Sequence, residues 1–212
     1  HLAFGLSTCA HGVITAMDLS AVRAAPGVVL VLSAEDFPEM PDCSPSVHDE
    51  PLLATGTVHH VGQPVFLVVA ETHLAARKAA RLGRITYEER PALLTVEQAL
   101  AANSRFEKGP ILWSKGDAGA AIAAAPQVIE GEFEVGGQEY FYLEGQIAAA
   151  LPQEDGMQIL SSTQHPTEIQ HKVAHALHLP MSAVRVEMRR MGGGFGGKES
   201  QGNALAIACA LA

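Results

Sequence analysis

The run Gly192-Gly193-Gly194-Phe195-Gly196-Gly197 constrains this chain more than any other feature. Glycine loses more conformational freedom on folding than any other residue, so five glycines in six positions need a use. The use expected from sequence is close approach of bare backbone to a ligand, with Phe195 the single side chain on display. Val184, Val186 and Met188 alternate with Arg185, Glu187 and Arg189 and predict a strand that feeds the turn. Lys198 and Glu199 follow it.

Two nucleotide-binding patterns compete for the same residues. Gly192, Gly194 and Gly197 satisfy GxGxxG, but the acidic ribose ligand that belongs some way downstream falls past Ala212. Gly192 with Gly197-Lys198 fits GxxxxGK, yet Glu199 stands where a phosphate loop needs a hydroxyl for magnesium. Both patterns are weak, and a merely structural turn explains two glycines better than five.

Upstream of the turn, Gln146–Leu151 and Met157–Ser162 predict strands, and a helix is expected from Pro166 to about His178. Proline suits its first position, Pro180 ends it, and Ile169, Val173, Ala176 and Leu177 form its apolar face. His171, His175 and His178 share another face at zinc-binding spacing, but Lys172 beside them opposes a metal, so a solvated polar face is the better reading. Gln164 sits at the corner between strand and helix, where mixed folds place ligands. Its amide can donate to an oxo group and accept from a hydroxyl at once.

The first half reads as a small mixed domain. Strands are expected at Gly12–Leu19, Val28–Leu32, Val65–Ala70 and Arg84–Tyr87, with a helical turn at Ser20–Ala24 and a helix capped by Thr72. The order strand, helix, strand suggests a βαβ unit and a mixed sheet. The valine-rich Val28–Leu32 reads as fully buried. Residues 34–56, with four prolines, read as an irregular excursion. His59 and His60 have no evident partner. Residues 93–118 form a connector with a short helix at Val96–Ala101, and Asp117 caps an alanine-rich helix beyond it. Val128–Val135 alternates as a half-buried strand should.

Apolar residues make up 48% and charged residues 17%, the balance of a globular chain with a real core. A net charge of −9 with thinly spread cations argues against a nucleic-acid partner. Cys9, Cys43 and Cys209, with no CxxC pair, argue against a disulfide framework and suit a reducing cytoplasm. No membrane-spanning apolar run and no signal peptide are present in the sequence. The chain opens at His1 and stops inside the apolar stretch 204–212, and a helix apolar on every face must be buried. The expectation is a piece of a longer polypeptide; the alternative is a C-terminal helix tucked into its own domain.

Taken together, Ser162-Thr163-Gln164-His165-Pro166, Val184-Arg185-Val186 and Arg189 through Glu199 strongly resemble the molybdenum-binding subunit of the xanthine dehydrogenase family. Gly137 through Glu144, Gly62-Gln63-Pro64-Val65 and Pro26-Gly27-Val28-Val29 extend the likeness along the whole chain, which looks most like the bacterial form with a separate molybdenum subunit. The resemblance implies an α+β fold: an α/β-hammerhead domain at 1–92, the connector 93–118, and the first part of a mixed α+β molybdopterin-binding domain at 119–212. It implies a molybdenum–molybdopterin cofactor with oxo and sulfido ligands. Gln164 would hydrogen-bond an oxygen ligand of the metal, and Gly194, Phe195 and Gly196 would lie against metal and pterin through their backbone. Glu199 would face and orient the substrate, and a carboxylate there favours a purine over an aldehyde.

The activity implied is oxidative hydroxylation of hypoxanthine or xanthine to urate, the metal serving as Lewis acid and electron sink. Electrons would pass through Fe-S centres and FAD on a partner subunit to NAD. The glutamate that serves as general base in these enzymes lies past residue 212, so this chain alone should be inactive and should need the remainder of its subunit. Two other readings compete: an aldehyde or N-heterocycle hydroxylase of the same superfamily, and a non-catalytic ligand-binding domain.

Overall fold

A computed structural model describes residues 1–105 and 109–212; positions 106–108 of the expected connector lie outside the described residues. The elements in chain order are β1 (Leu2–Leu6), β2 (Gly12–Asp18), α1 (Ser20–Arg23), β3 (Val28–Ser33), β4 (Thr57–Val58), β5 (Pro64–Ala70), α2 (His73–Ala80) and β6 (Arg84–Glu89). After them come α3 (Val96–Ala101), α4 (Ala118–Ala123), β7 (Ala148–Gln153), β8 (Gly156–Ser161), α5 (Pro166–Ala176), β9 (Val184–Glu187) and α6 (Asn203–Leu211). One compact unit joins His1–Pro91 to Tyr140–Ala212, and a second comprises Ala92–Glu139.

In the larger unit, β1-β5-β3 and β4-β2-β6 are two antiparallel three-stranded sheets. The strand-helix-strand reading of the first half therefore needs correction. β5 and β6 flank α2 in sequence but lie in different sheets, because both ladder edges of β5 are already taken by β1 and β3. The parallel crossover is in the second half, where β8 and β9 pair in parallel across α5. β3 is an edge strand with Val29 and Leu30 exposed, so only part of the run expected to be buried is buried. Residues 34–56 are not wholly irregular: Ala34–Asp36 forms a 3₁₀ turn and Asp42 bridges Pro51.

Two apolar clusters form the interior. Cys9, Leu19, Val22, Val31, Val58, Phe66 and Val68 make one. The other draws Leu52, Leu53 and Leu67 from the first half and Ile159, Ile169, Val173 and Ile207 from the second. Full burial of a side chain of this size contributes about 1.5–3 kcal/mol. α6 enters that second cluster through Ala206, Ile207 and Ala208, while Leu205 and Leu211 are only partly buried.

In the smaller unit, Thr95 and Asp117 cap α3 and α4 through bonds to Gln98 and Ala120. The strand expected at Val128–Val135 is not formed: among the described residues no ladder partner meets it, and Ile129 and Phe133 are exposed. Alternation alone cannot hold a strand without a neighbour to accept its hydrogen bonds.

Candidate functional site

β8 ends at Ser161, and Ser162-Thr163-Gln164 carries the chain to α5; β9 ends at Glu187 and leads to the glycine turn. Parallel pairing of β8 with β9 puts these two departures at the same end of one sheet. Gln164 and the turn meet there. The Gln164 side-chain oxygen accepts the N–H of Gly196 at 2.9 Å and of Lys198 at 3.2 Å, while its backbone N–H donates to Lys198 O at 2.8 Å. Two N–H donors on one oxygen fix the orientation of the amide, leaving Nε2 as its outward donor.

The glycines also answer to the turn's own backbone geometry and packing. Gly193 and Gly196 have φ of 96° and 94°, which side-chain-bearing residues rarely adopt. The other three make room for the protein itself. A Cβ would lie 2.6 Å from Glu144 Cβ at Gly192, 2.6 Å from Gln164 Oε1 at Gly194, and 2.6 Å from the Tyr140 and Tyr142 rings at Gly197. Phe195 itself is left-handed, φ 51°, at a cost of roughly 1 kcal/mol. It is 75% exposed at the crest of the turn. Among the described residues no protein acceptor takes the N–H of Gly193, Gly194 or Phe195. Gly193 and Phe195 are at least partly exposed and Gly194 is buried beside Gln164, so the backbone donors reachable from outside are those flanking Gly194.

A charged cluster missed from sequence lies beneath. Lys198 is fully buried, with Nζ 3.0 Å from Glu144 Oε2, 2.9 Å from Ser162 Oγ and 4.7 Å from the Tyr142 ring centroid. Glu144 Oε2 also accepts from Ser162 Oγ and, at 2.9 Å, from Gly192 N. These bonds, the Ser162 hydroxyl first, then Gly192 N–H and Lys198, lower the Glu144 pKa to about 2. Gln146 Nε2 donates to Gly197 O at 2.7 Å. Sequence offered one signal, a lysine directly after the glycines. Nothing in it could say that its partner was Glu144, 54 positions away.

Lys198 is spent on Glu144, so it is not a phosphate-reaching lysine, and α6 starts only at Asn203, not at the turn. Neither nucleotide pattern has its geometry. Glu199 is exposed just past Lys198 and makes no hydrogen bond among the described residues. Cavities of about 500 and 580 Å³ open elsewhere in this unit, and none of Gln164, Gly194, Phe195, Gly196 and Glu199 lines either.

Outside the site, His171, His175 and His178 are exposed, and Lys172 points inward instead, 2.7 Å from Asp42. No group of three His, Cys, Asp or Glu side chains among the described residues is placed to hold a metal. His59 does have a partner, the ring of His11, stacked at 5.9 Å. No helix among the described residues is long and apolar enough to cross a membrane.

Residues 1–91 match the family described as aldehyde oxidase and xanthine dehydrogenase, a/b hammerhead domain, and residues 100–212 the molybdopterin cofactor-binding domain. The chain belongs to the aldehyde oxidase and xanthine dehydrogenase family. It is 42% identical over its whole length to xanthine dehydrogenase of Drosophila subobscura and 40% identical over 97% of its length to xanthine dehydrogenase/oxidase of Rattus norvegicus. It spans 16% of the length of each of these relatives. Among solved structures, quinoline 2-oxidoreductase from Pseudomonas putida 86 superposes with a TM-score of 0.81 at 29% identity, over 93% of this chain and 27% of that one. Aldehyde oxidoreductase from Desulfovibrio gigas gives 0.80 at 26% identity, over 98% and 26%. The expected α+β architecture, a hammerhead followed by a cofactor-binding domain, is the observed one.

Proposed function

We propose that this family member is part of a molybdenum hydroxylase that converts hypoxanthine or xanthine to urate, with electrons leaving through Fe-S centres and FAD to NAD. The observation that carries the site assignment is the pair of bonds from Gly196 and Lys198 to the Gln164 amide oxygen. They make one surface of the Gln164 Nε2 donors and the free N–H groups of Gly193 and Phe195. That donor set fits an oxo-bearing, pterin-held metal. Gln164, Gly194, Phe195 and Gly196 would hold it, second-shell through the amide and backbone, and the exposed Glu199 carboxylate would pair with purine nitrogens. The cofactor supplies Lewis acidity and an electron sink; the chain's own residues bind, orient and hydrogen-bond.

The division into a hammerhead domain at 1–92, a connector at 93–118 and a cofactor domain from 119 belongs to this proposal; the match at 1–91 supports the first boundary, and the match at 100–212 runs through most of the connector. Partner regions that carry the Fe-S centres, the FAD and the general-base glutamate belong to it too; without them residues 1–212 turn over no purine. A cytoplasmic location suits three free cysteines.

Metal and pterin analysis of the full-length protein tests the reading. One molybdenum per protein is expected, falling at least several-fold in Gln164→Ala. In Glu199→Ala, purine turnover should drop while aldehyde turnover is kept. Purine oxidation that survives while aldehyde oxidation falls would transfer the substrate to the aldehyde class, and a metal-free protein would remove the hydroxylase reading altogether. The likeness to quinoline 2-oxidoreductase makes an N-heterocycle the second candidate substrate.

A further inference from the structure

We propose that Glu144 and Lys198 are positioning residues that preset the glycine turn before any cofactor arrives. The proposal deepens the cofactor-site reading and rests on it for what the turn is preset to receive. A five-glycine segment has the greatest freedom a backbone can have, and something must order it if its crest is to present donors in a fixed array.

Most of the fastenings are at the ends of the turn, and one internal bond, from Gly197 N–H to Gly194 O at 2.7 Å, closes the bend between them. One carboxylate oxygen, Glu144 Oε2, holds both the first glycine, through Gly192 N–H, and the residue after the last, through Lys198 Nζ. Backbone adds to it, with Glu144 N–H donating to Gly192 O at 3.2 Å. At the far end Lys198 O accepts from Gln164 N at 2.8 Å and from Thr163 Oγ1 at 3.2 Å, and Gly197 O accepts from Gln146 Nε2. The ammonium has three donor directions, and Glu144, Ser162 and the face of Tyr142 take all three. A buried charge so fully matched is held in one position, whereas a neutral side chain there would lose the bonds to Glu144 and Ser162.

The crest is treated in the opposite way. The N–H groups of Gly193, Gly194 and Phe195 remain unpaired among the described residues while their neighbours on both sides are tied. Donors left free between two anchored ends form a receptor, not a loop that folds around its ligand. The same anchoring sets the Gln164 amide, because its oxygen is held by the N–H of Lys198. Lys198 thus acts on the site through Gln164 and the backbone, without touching a ligand itself.

The test uses the full-length protein carrying Lys198→Met, Glu144→Gln or Ser162→Ala, with Lys172→Met as a buried-lysine control on α5. Three readouts are taken: hydrogen exchange of the 192–198 amides with and without cofactor, molybdenum per protein, and the Mo(V) resonance of the loaded fraction. Exchange at Gly192 and at Gly196, Gly197 and Lys198, the amides that are tied, should rise at least tenfold in cofactor-free Lys198→Met and two- to threefold in Ser162→Ala, with β5 unchanged. Loading should fall at least fivefold and the resonance should change shape in Lys198→Met and Glu144→Gln, and stay native in Lys172→Met.

Native exchange and native loading in both Glu144→Gln and Lys198→Met would overturn the proposal. So would faster exchange in the cofactor-free variants with loading and resonance untouched, since the cofactor would then be imposing the geometry. If Lys198→Met fails to fold, the Glu144→Gln and Ser162→Ala readings decide. A wild-type protein without molybdenum sinks the hydroxylase reading alone, and exchange at 192–198 still decides whether the turn is preset.

Discussion

Two lysines among the described residues are taken out of water, and they do different things. Lys172, on α5, reaches Asp42 in the proline-rich excursion at 2.7 Å; His48 Nδ1 and Ser44 Oγ share the same carboxylate. Lys198 meets Glu144 beneath the glycine turn. In both cases an uncompensated buried charge would be expensive, and a carboxylate with hydroxyl help offsets the desolvation. The Asp42 clamp fastens a long loop to a scaffold helix beside Cys43 and the second apolar cluster. The Glu144 clamp fastens a backbone with no side chains of its own to pack. Where a segment brings Leu52 and Leu53 to a core, an ion pair is one contribution beside apolar burial; where it brings glycine, the ion pair acts beside backbone hydrogen bonds to Gln164 and Gln146 instead.

That contrast can be broken most sharply at the turn itself. Gly197→Ala puts a methyl 2.6 Å from both Tyr140 and Tyr142, so either the rings or the turn must shift. Metal content of the full-length protein should drop about 10- to 100-fold, as for other supporting residues of metal sites. Lys172→Met should do the reverse. Denaturant unfolding should show a loss of about 2–3 kcal/mol, below the range for a fully buried pair because Asp42 is a quarter exposed, with metal content unchanged.

Acid distinguishes the two clamps without mutation. Burial pushes Asp42 up, but the bonds from Lys172, His48 and Ser44 outweigh it and hold the carboxyl well below the usual range. Both carboxylates are depressed in the folded chain, so each contributes stability above its unfolded pKa that is lost as pH falls through its folded one. For Glu144 that window runs from 4.5 down to about 2, and Asp42 should release later. Amide protection, corrected for intrinsic rates, should fail at 192–198 before it fails at 42–44. Simultaneous loss would mean that the clamps are one cooperative unit.

Cys43 provides a quieter reporter. Burial, then the Asp42 charge beside it, pushes its thiol up to about 12, so a water-soluble alkylating agent should label it at most slowly at pH 8. Losing the Lys172 ammonium raises the thiol further, so Lys172→Met speeds the labelling only if the freed loop exposes Cys43, and Lys198→Met should leave it unchanged. Smallest of all should be His175→Ala on the exposed face of α5, within about 0.5 kcal/mol of wild type in unfolding.

Local rules carried the sequence reading a long way. Thr72 and Asp117 cap their helices as their side chains dictate, α5 runs Pro166–Ala176 close to its expected span, and the strand into the glycine turn ends at its expected corner. Helix caps, proline starts and apolar periodicity act within a few residues, so sequence alone determined them. It also determined that a backbone-only turn would stand beside a strand-to-helix corner holding Gln164, and the motif strings there marked the family. Only the tertiary structure decided that β6 leaves β5 for another sheet, that Val128–Val135 forms no strand, and that Lys198 pairs with Glu144. Those outcomes depend on which ladder edge is free and which carboxylate arrives, both settled by chain segments far apart in sequence. The glycines show both sources at once. Their number was plain in the sequence, but that three of the five make way for Glu144, Gln164 and two tyrosines became visible only when those side chains had places in space.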